Sequence, residues 1–248
     1  MSLHHKPEPE IYALSEYALT VEYGHEISST LSRQVLNLDA WLRKKPFPGF
    51  QATVPAYATL SIYYDPHQVI RSPLRGVSGF DKVASYVRSL LPTIPDAAEQ
   101  PCRHVVIPVC YGGSFGPDLP AMAASHQLSV QDVIDLHSRG SYYVYMMGFI
   151  PGFAYLGGLP DILTTPRRPL PRPAVSAGSV GIAGNQTGIY PLESPGGWQI
   201  IGRTPLTLFN ARRSEPALLQ SGDQVSFKPI TEREYSTYDK NRHETECH

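Results

Sequence analysis

The sequence predicts an α/β (α+β) chain of two domains, a small α/β domain first and a closed or nearly closed β-barrel second. Three observations predict it. Residues 10–95 carry two helix-period apolar patterns set between strand-like runs. Residues 148–222 carry only short apolar runs, broken by glycine and proline. Between the halves, Pro92 to Pro101 has the prolines, small residues and acids of a linker. The expected boundaries are 10–95, 102–231 and a loose tail over 232–248.

In the first domain, the second part of Ile11 to Tyr23 alternates as a strand, and Gly24 ends it. Ser28 or Ser29 caps a helix to about Lys45, with Ile27 as a possible staple outside it. Leu31, Val35, Leu38 and Leu42 give that helix an apolar face, and its basic end suits the helix dipole. Thr53 to Tyr64 reads as one strand, closed by Asp65-Pro66. Gly79 to Leu91 is a second amphipathic helix.

In the second domain, His104 to Tyr111 is a strand whose proline points to an edge position. Gly112 to Asp118 is a tight loop. Leu119–His126 and Val130–His137 are short helices, the second capped by Ser129. Tyr142 to Met147 is a strand. Short runs follow at 179–183, 188–190, 198–201, 207–209 and 224–227, and Ser221-Gly222-Asp223 turns into the last of them.

Composition narrows the function. The chain has 248 residues, with only 17% charged. That low share suggests a surface covered in part by a partner. Twenty-one basic against twenty-two acidic residues leave no basic stripe, so no nucleic acid is expected. No apolar signal region or membrane-length run occurs, so a cytoplasmic protein without a membrane role is expected. Cys102, Cys110 and Cys247 suggest neither a disulfide scaffold nor zinc, and Cys110 reads as a buried thiol.

Two stretches could carry chemistry. In the first, Gly148, Phe149, Pro151, Phe153 and Tyr155 form either barrel corners or a loop around a ligand or interface. The second runs from Ala177 to Pro191 and includes Tyr190. Its backbone could form an anion nest, although it is not a phosphate loop of the Lys-Ser/Thr type. Asn185, Gln186 and Thr187 offer uncharged donors and acceptors for an amide, lactam or urea-like group, or they simply close turns. Arg167, Arg168, Arg172 and Arg203 are cations for a carboxylate or phosphate, or partners in ion pairs. Asp118 is a base or, preferably, a helix N-cap. His137 at a helix end reads as structural before catalytic. No Ser-His-Asp set declares itself and no metal-ligand cluster is present, so catalytic residues stay open and no metal is expected.

At these residues the sequence resembles the allophanate hydrolase subunit 1 family, also called the KipI family or the family of 5-oxoprolinase B subunits (PxpB). The resemblance rests on Cys110-Tyr-Gly-Gly-Ser-Phe-Gly-Pro-Asp-Leu119, Met147-Gly-Phe-Ile-Pro-Gly-Phe-Ala-Tyr-Leu-Gly-Gly158 and, above all, Gly178 to Pro205. It spans residues 10 to 231. Ser114, Asn185 and Val175-Ser176-Ala177 depart from the family pattern.

The resemblance implies a cyclophilin-like barrel, with no implication of prolyl isomerase activity. It also implies a non-autonomous subunit of an ATP-dependent 5-oxoprolinase that opens 5-oxo-L-proline to L-glutamate. ATP would be a co-substrate of the complex, with no covalently bound cofactor. The implied partners are a homologous protein of the KipA/PxpC type and a third protein of the PxpA/LamB-YcsF type. Gln186, Thr187, Arg203 and Arg172 become candidate ligand contacts. The alternatives are a KipI-like inhibitor of histidine kinase autophosphorylation and a urea or allophanate carboxyltransferase subunit.

Overall fold

The computed structural model of the chain describes residues 8–94, 103–238 and the backbone of 244–247. The chain divides into two units, Met1–Gln100 and Pro101–His248. Most of the expected linker, and Cys102, lie outside the described residues.

The first unit contains β1 (Glu10–Ser15), β2 (Ala18–Glu22), α1 (Ser29–Lys44), β3 (Phe50–Pro55), β4 (Thr59–Tyr64), α2 (Pro66–Arg71) and α3 (Gly79–Leu90). Its sheet runs β1-β2-β4-β3 and every pairing is antiparallel. Within the α/β (α+β) class, this unit is therefore α+β. Ile11–Tyr23 and Thr53–Tyr64, each expected to give one strand, belong to two hairpins. Leu19 and Val21 of β2 and Leu60, Ile62 and Tyr64 of β4 are buried with Val35, Leu38 and Leu42 of α1 and Val83 and Val87 of α3. This is the alternating strand pattern meeting the helical one in a single core.

The helix starts follow capping chemistry. Ser28 accepts from the Thr30 N–H, and Ser78 and Asp81 form a reciprocal capping box at α3. Ile27 is exposed, so it staples nothing. The unexpected α2 starts where Asp65 accepts from the N–H groups of His67 and Gln68, with Pro66 in the first turn.

The second unit contains β5 (Arg103–Tyr111), α4 (Leu119–Ser125), α5 (Val130–Arg139), β6 (Tyr142–Met147), β7 (Ala154–Gly157), β8 (Arg172–Val175), β9 (Ser179–Ala183), β10 (Gln186–Ile189), β11 (Ser194–Gly196), β12 (Gln199–Arg203), β13 (Gln224–Pro229), α6 (Glu232–Thr237) and β14 (Glu244–Cys247). Seven strands close a barrel in the order β12-β9-β10-β7-β6-β13-β5 and back to β12. β8 and β11 form a separate two-stranded ribbon. The barrel interior is filled by Val105, Ile107, Val109, Val144, Leu156, Val180, Ile182, Ile189, Ile201 and Val225, among others.

Three expectations change here. β5 is an interior strand, although it carries Pro108. On one flank β14 reaches Val106 and β12 begins at Cys110, so Pro108 faces a gap in the ladders and its missing N–H breaks none. Residues 207–209 form no strand, only a single bridge from Phe209 to Ala217. The tail over 232–248 is not wholly loose. α6 is fixed by a capping box between Thr231 and Glu234, Tyr235 packs on Phe115, and β14 pairs with β5.

Arg103 and Asp223 then clamp the base of the barrel. The Arg103 Nε–H donates to Asp223 at 2.9 Å, and the arginine also donates to the Leu218 carbonyl.

Candidate functional site

The glycine motifs place a second apolar cluster outside the barrel wall. Gly181 of β9 and Gly188 of β10 are cross-strand partners. Their outer face carries no side chains, so Trp198 lies against both, its Cβ over Gly181 and its ring over Gly188, with Phe153 beside it. A Cβ on Gly188 would sit 2.9 Å from the indole and 3.0 Å from the Phe153 ring. Phe153, Tyr190 and Trp198 pack edge to face, and Val175, Ala183 and Ile200 complete the cluster. Tyr190 is buried and its hydroxyl accepts the Trp198 backbone N–H; burial raises its pKa.

Asp118 sits beside this cluster. It occupies the N-cap position of α4, but its side chain makes no cap hydrogen bond, contrary to expectation. Instead its carboxylate accepts the Ile200 N–H at 2.6 Å, the Arg168 guanidinium at 3.0 Å and the Arg172 guanidinium at 2.6 Å. Gly116 makes this possible, because the loop 112–118 runs so close to the Ile201 carbonyl that no Cβ fits. Two cations thus meet one nearly buried carboxylate. The Arg168 Nε–H and one terminal nitrogen of Arg172 are buried without a partner, as is the Ser194 hydroxyl. Arg167 lies near enough to Tyr190 to favour its phenolate, as does Arg172.

The structure separates the other expected residues. Thr187, expected to contact a ligand, faces the barrel interior: it is fully buried, and its hydroxyl donates to the Gly181 carbonyl. That hydroxyl can then only accept from His137 Nε2 at 3.0 Å, which leaves His137 Nδ1 to accept from the Tyr111 hydroxyl at 2.8 Å. His137 is therefore a neutral, doubly bonded core residue, and burial lowers its pKa to about 3. Asn185 is exposed at the β9–β10 hairpin tip and Gln186 beside it is half-buried. Arg203 lies at the other end of β12 from Ile200, with its Nε–H donating to the Ala177 carbonyl. It does not join the Asp118 cluster.

Gly148 to Phe153 form the β6–β7 hairpin loop, tied by hydrogen bonds from Gly148 N to Phe153 O and from Phe153 N to Ile150 O. Pro151 is exposed. Phe149 has φ +67° and stands 61% exposed, with its ring edge-on to Phe153. Tyr155 is half-buried over Trp198.

Sequence reasoning assigns no role to Ser194 or Trp198, although both stand within the Gly178 to Pro205 stretch. It also undervalues Arg168, because the adjacent Arg167-Arg168 pair resembles a solvated loop end. Among the described residues no group of three metal-ligating side chains occurs, and no helix is long and apolar enough to cross a membrane.

A family model described as "Carboxyltransferase domain, subdomain C and D" matches residues 9–219. The chain belongs to this family. This carboxyltransferase-domain chain is 45% identical, over 92% of its length and 96% of the relative's, to a Bacillus subtilis (strain 168) protein named as the B subunit of 5-oxoprolinase. The resemblance read from the motifs therefore holds across the chain. A crystal structure of the protein TTHA0988 superimposes with a TM-score of 0.73 at 38% identity, covering 86% of this chain and 39% of that one. The K. lactis urea amidolyase structure gives a TM-score of 0.75 at 19% identity, covering 97% of this chain and 16% of that one. It shares the fold. In both structures the chain corresponds to well under half of a longer polypeptide.

Proposed function

We propose that this chain is one subunit of an ATP-dependent 5-oxoprolinase and works in the cytoplasm. In this reading it acts with one partner of the KipA/PxpC type and another of the PxpA/LamB-YcsF type. Together they convert 5-oxo-L-proline and ATP to L-glutamate, ADP and phosphate. The reading rests on one observation, the near end-to-end 45% identity to a protein named as the B subunit of 5-oxoprolinase.

The side chains of this chain agree with a non-autonomous role. Cys110 is buried and its thiol is pushed up by burial and by Glu232. His137 is neutral and has both ring nitrogens engaged. Neither is poised as a nucleophile or base toward solvent. A lactam is a stable amide, and phosphorylating its oxygen makes the ring carbon open to water. That activation explains the coupling to ATP and leaves this chain to complete a pocket with its partners.

A second reading is a carboxyltransferase component acting on a urea-like amide. The family description and the shared urea amidolyase fold favour it. The deciding measurement is ATP-dependent glutamate release from 5-oxo-L-proline by the co-purified complex, with this chain omitted and then restored. Loss on omission and recovery on restoration support the first reading. Full activity without the chain, or none with the complete set, overturns it.

A further inference from the structure

We propose that Arg168 and Arg172 form an oxyanion-binding site on the outer wall of the barrel, at the foot of the β8–β11 ribbon. The two guanidiniums converge on a single atom, Asp118 Oδ1, at 3.0 and 2.6 Å. Their bonded nitrogens are thus no further apart than the sum of those distances. Like charges this close repel, and one carboxylate neutralises only one of them. The only ion pairs of either arginine among the described residues are with Asp118, so the cluster retains a net positive charge.

The donors that remain are the second observation. Clamping the ribbon to Asp118 uses one nitrogen of each guanidinium. The Arg168 Nε–H and a terminal nitrogen of Arg172 are buried and have no partner. Buried donors are almost always satisfied, so two orphaned donors on neighbouring guanidiniums call for an acceptor at this cluster. A guanidinium fork suits the oxygens of a carboxylate or a phosphoryl group.

Access is one-sided. Asp118 is 8% exposed, whereas the Arg168 and Arg172 side chains are 36% and 24% exposed. An anion from solvent meets the exposed edges of the two guanidiniums and not the carboxylate. The Ile200 N–H and both arginines hold Asp118 in place, so the cations are fixed before any ligand arrives. Arg167 adds positive charge in the same neighbourhood.

The shared chemistry is an oxyanion, with two sources: the carboxylate of a small acid such as 5-oxo-L-proline, or a phosphoryl group. Choosing 5-oxo-L-proline as a probe rests on the proposed function; the site itself does not. The test uses the full chain with inorganic phosphate and with 5-oxo-L-proline, each against chloride at matched ionic strength. Melting temperature is one readout. The other is the rate of phenylglyoxal modification of Arg168 and Arg172, followed by peptide mapping.

At least one probe is expected to raise the melting temperature and slow modification of both arginines severalfold. Arg168→Gln and Arg172→Gln, checked for folding by circular dichroism, are expected to weaken binding about tenfold or more. Protection by phosphate alone assigns a phosphoryl ligand, and protection by 5-oxo-L-proline alone assigns a carboxylate. Absence of both shift and protection overturns the proposal, as does undiminished binding by both variants. If the variants do not fold, protection of the unsubstituted chain decides. Failure here with successful restoration of glutamate release removes the site and leaves the subunit reading standing. Binding without restoration does the reverse.

Discussion

Acidification tests the buried His137 network. In the fold the histidine is neutral, with a pKa lowered to about 3 by burial, while in the unfolded chain it titrates near 6.5. Below that value the unfolded state takes up a proton that the folded state refuses. The stability His137 contributes is therefore fully present above about pH 6.5 and is lost progressively as pH falls toward about 3. Each pH unit inside that window costs about 1.4 kcal/mol, so moving from pH 6.5 to 5.0 removes about 1.5 to 2 kcal/mol. Urea unfolding of the second unit at the two pH values measures it. His137→Gln is the control, because an amide can donate to Thr187 and accept from Tyr111 without titrating. Every other histidine acts equally in both proteins, so the difference between them isolates this one. The same loss of stability in the variant would show that His137 does not carry the proton linkage, and the neutral-core account would fail.

Asp118→Ala removes an acceptor shared by Ile200, Arg168 and Arg172 and leaves two cations facing each other. Allowing for the partial exposure of the arginines, it should destabilise by about 2–4 kcal/mol. Asp135→Ala, which removes an exposed pair with Arg139, should cost less than about 1 kcal/mol; equal losses in thermal unfolding would contradict the clamp. Gly188→Ala drives a methyl group into Trp198 and Phe153. It should cost about 1–3 kcal/mol and shift Trp198 fluorescence to the red. Unchanged emission and stability would mean the rings do not rest on the glycine face.

Helices α1, α3 and α5 are legible in the sequence because each carries a local signal, whereas α2 and α6 are not expected from it. Ser28, Ser78 and Ser129 sit in front of periodic apolar residues, and all three accept the cap hydrogen bond. The hairpins read as single strands because their turns, around Glu16-Tyr17 and Ala56-Tyr57-Ala58, lack glycine and asparagine. The site is harder to read for two reasons. Asp118 stands before Leu119-Pro120 as a cap would, and its true partners lie fifty and more residues later. Thr187 and Gly188 differ by one position, and strand parity sends one to the interior and the other outward. Which way round they fall depends on Trp198 covering the glycine face, a contact that no local pattern reveals.

The packed interior also decides where chemistry can occur. A seven-stranded barrel is narrow, and here Val, Ile and Leu side chains from every wall fill it, leaving His137 and Thr187 bonded to each other within. A polar ligand cannot enter without unmaking that core. The proposed oxyanion site lies outside that core, on the outer wall, where the glycine pair permits a close-lying indole and where Asp118 holds two arginines in place. The wall is rigid because its strands close on themselves. The ribbon that supplies Arg172 is tied to it through Asp118 and the Val175 contact with the ring cluster. Substitutions at Arg168 or Arg172 should consequently change binding more than they change the barrel, whereas substitutions at His137 should do the opposite.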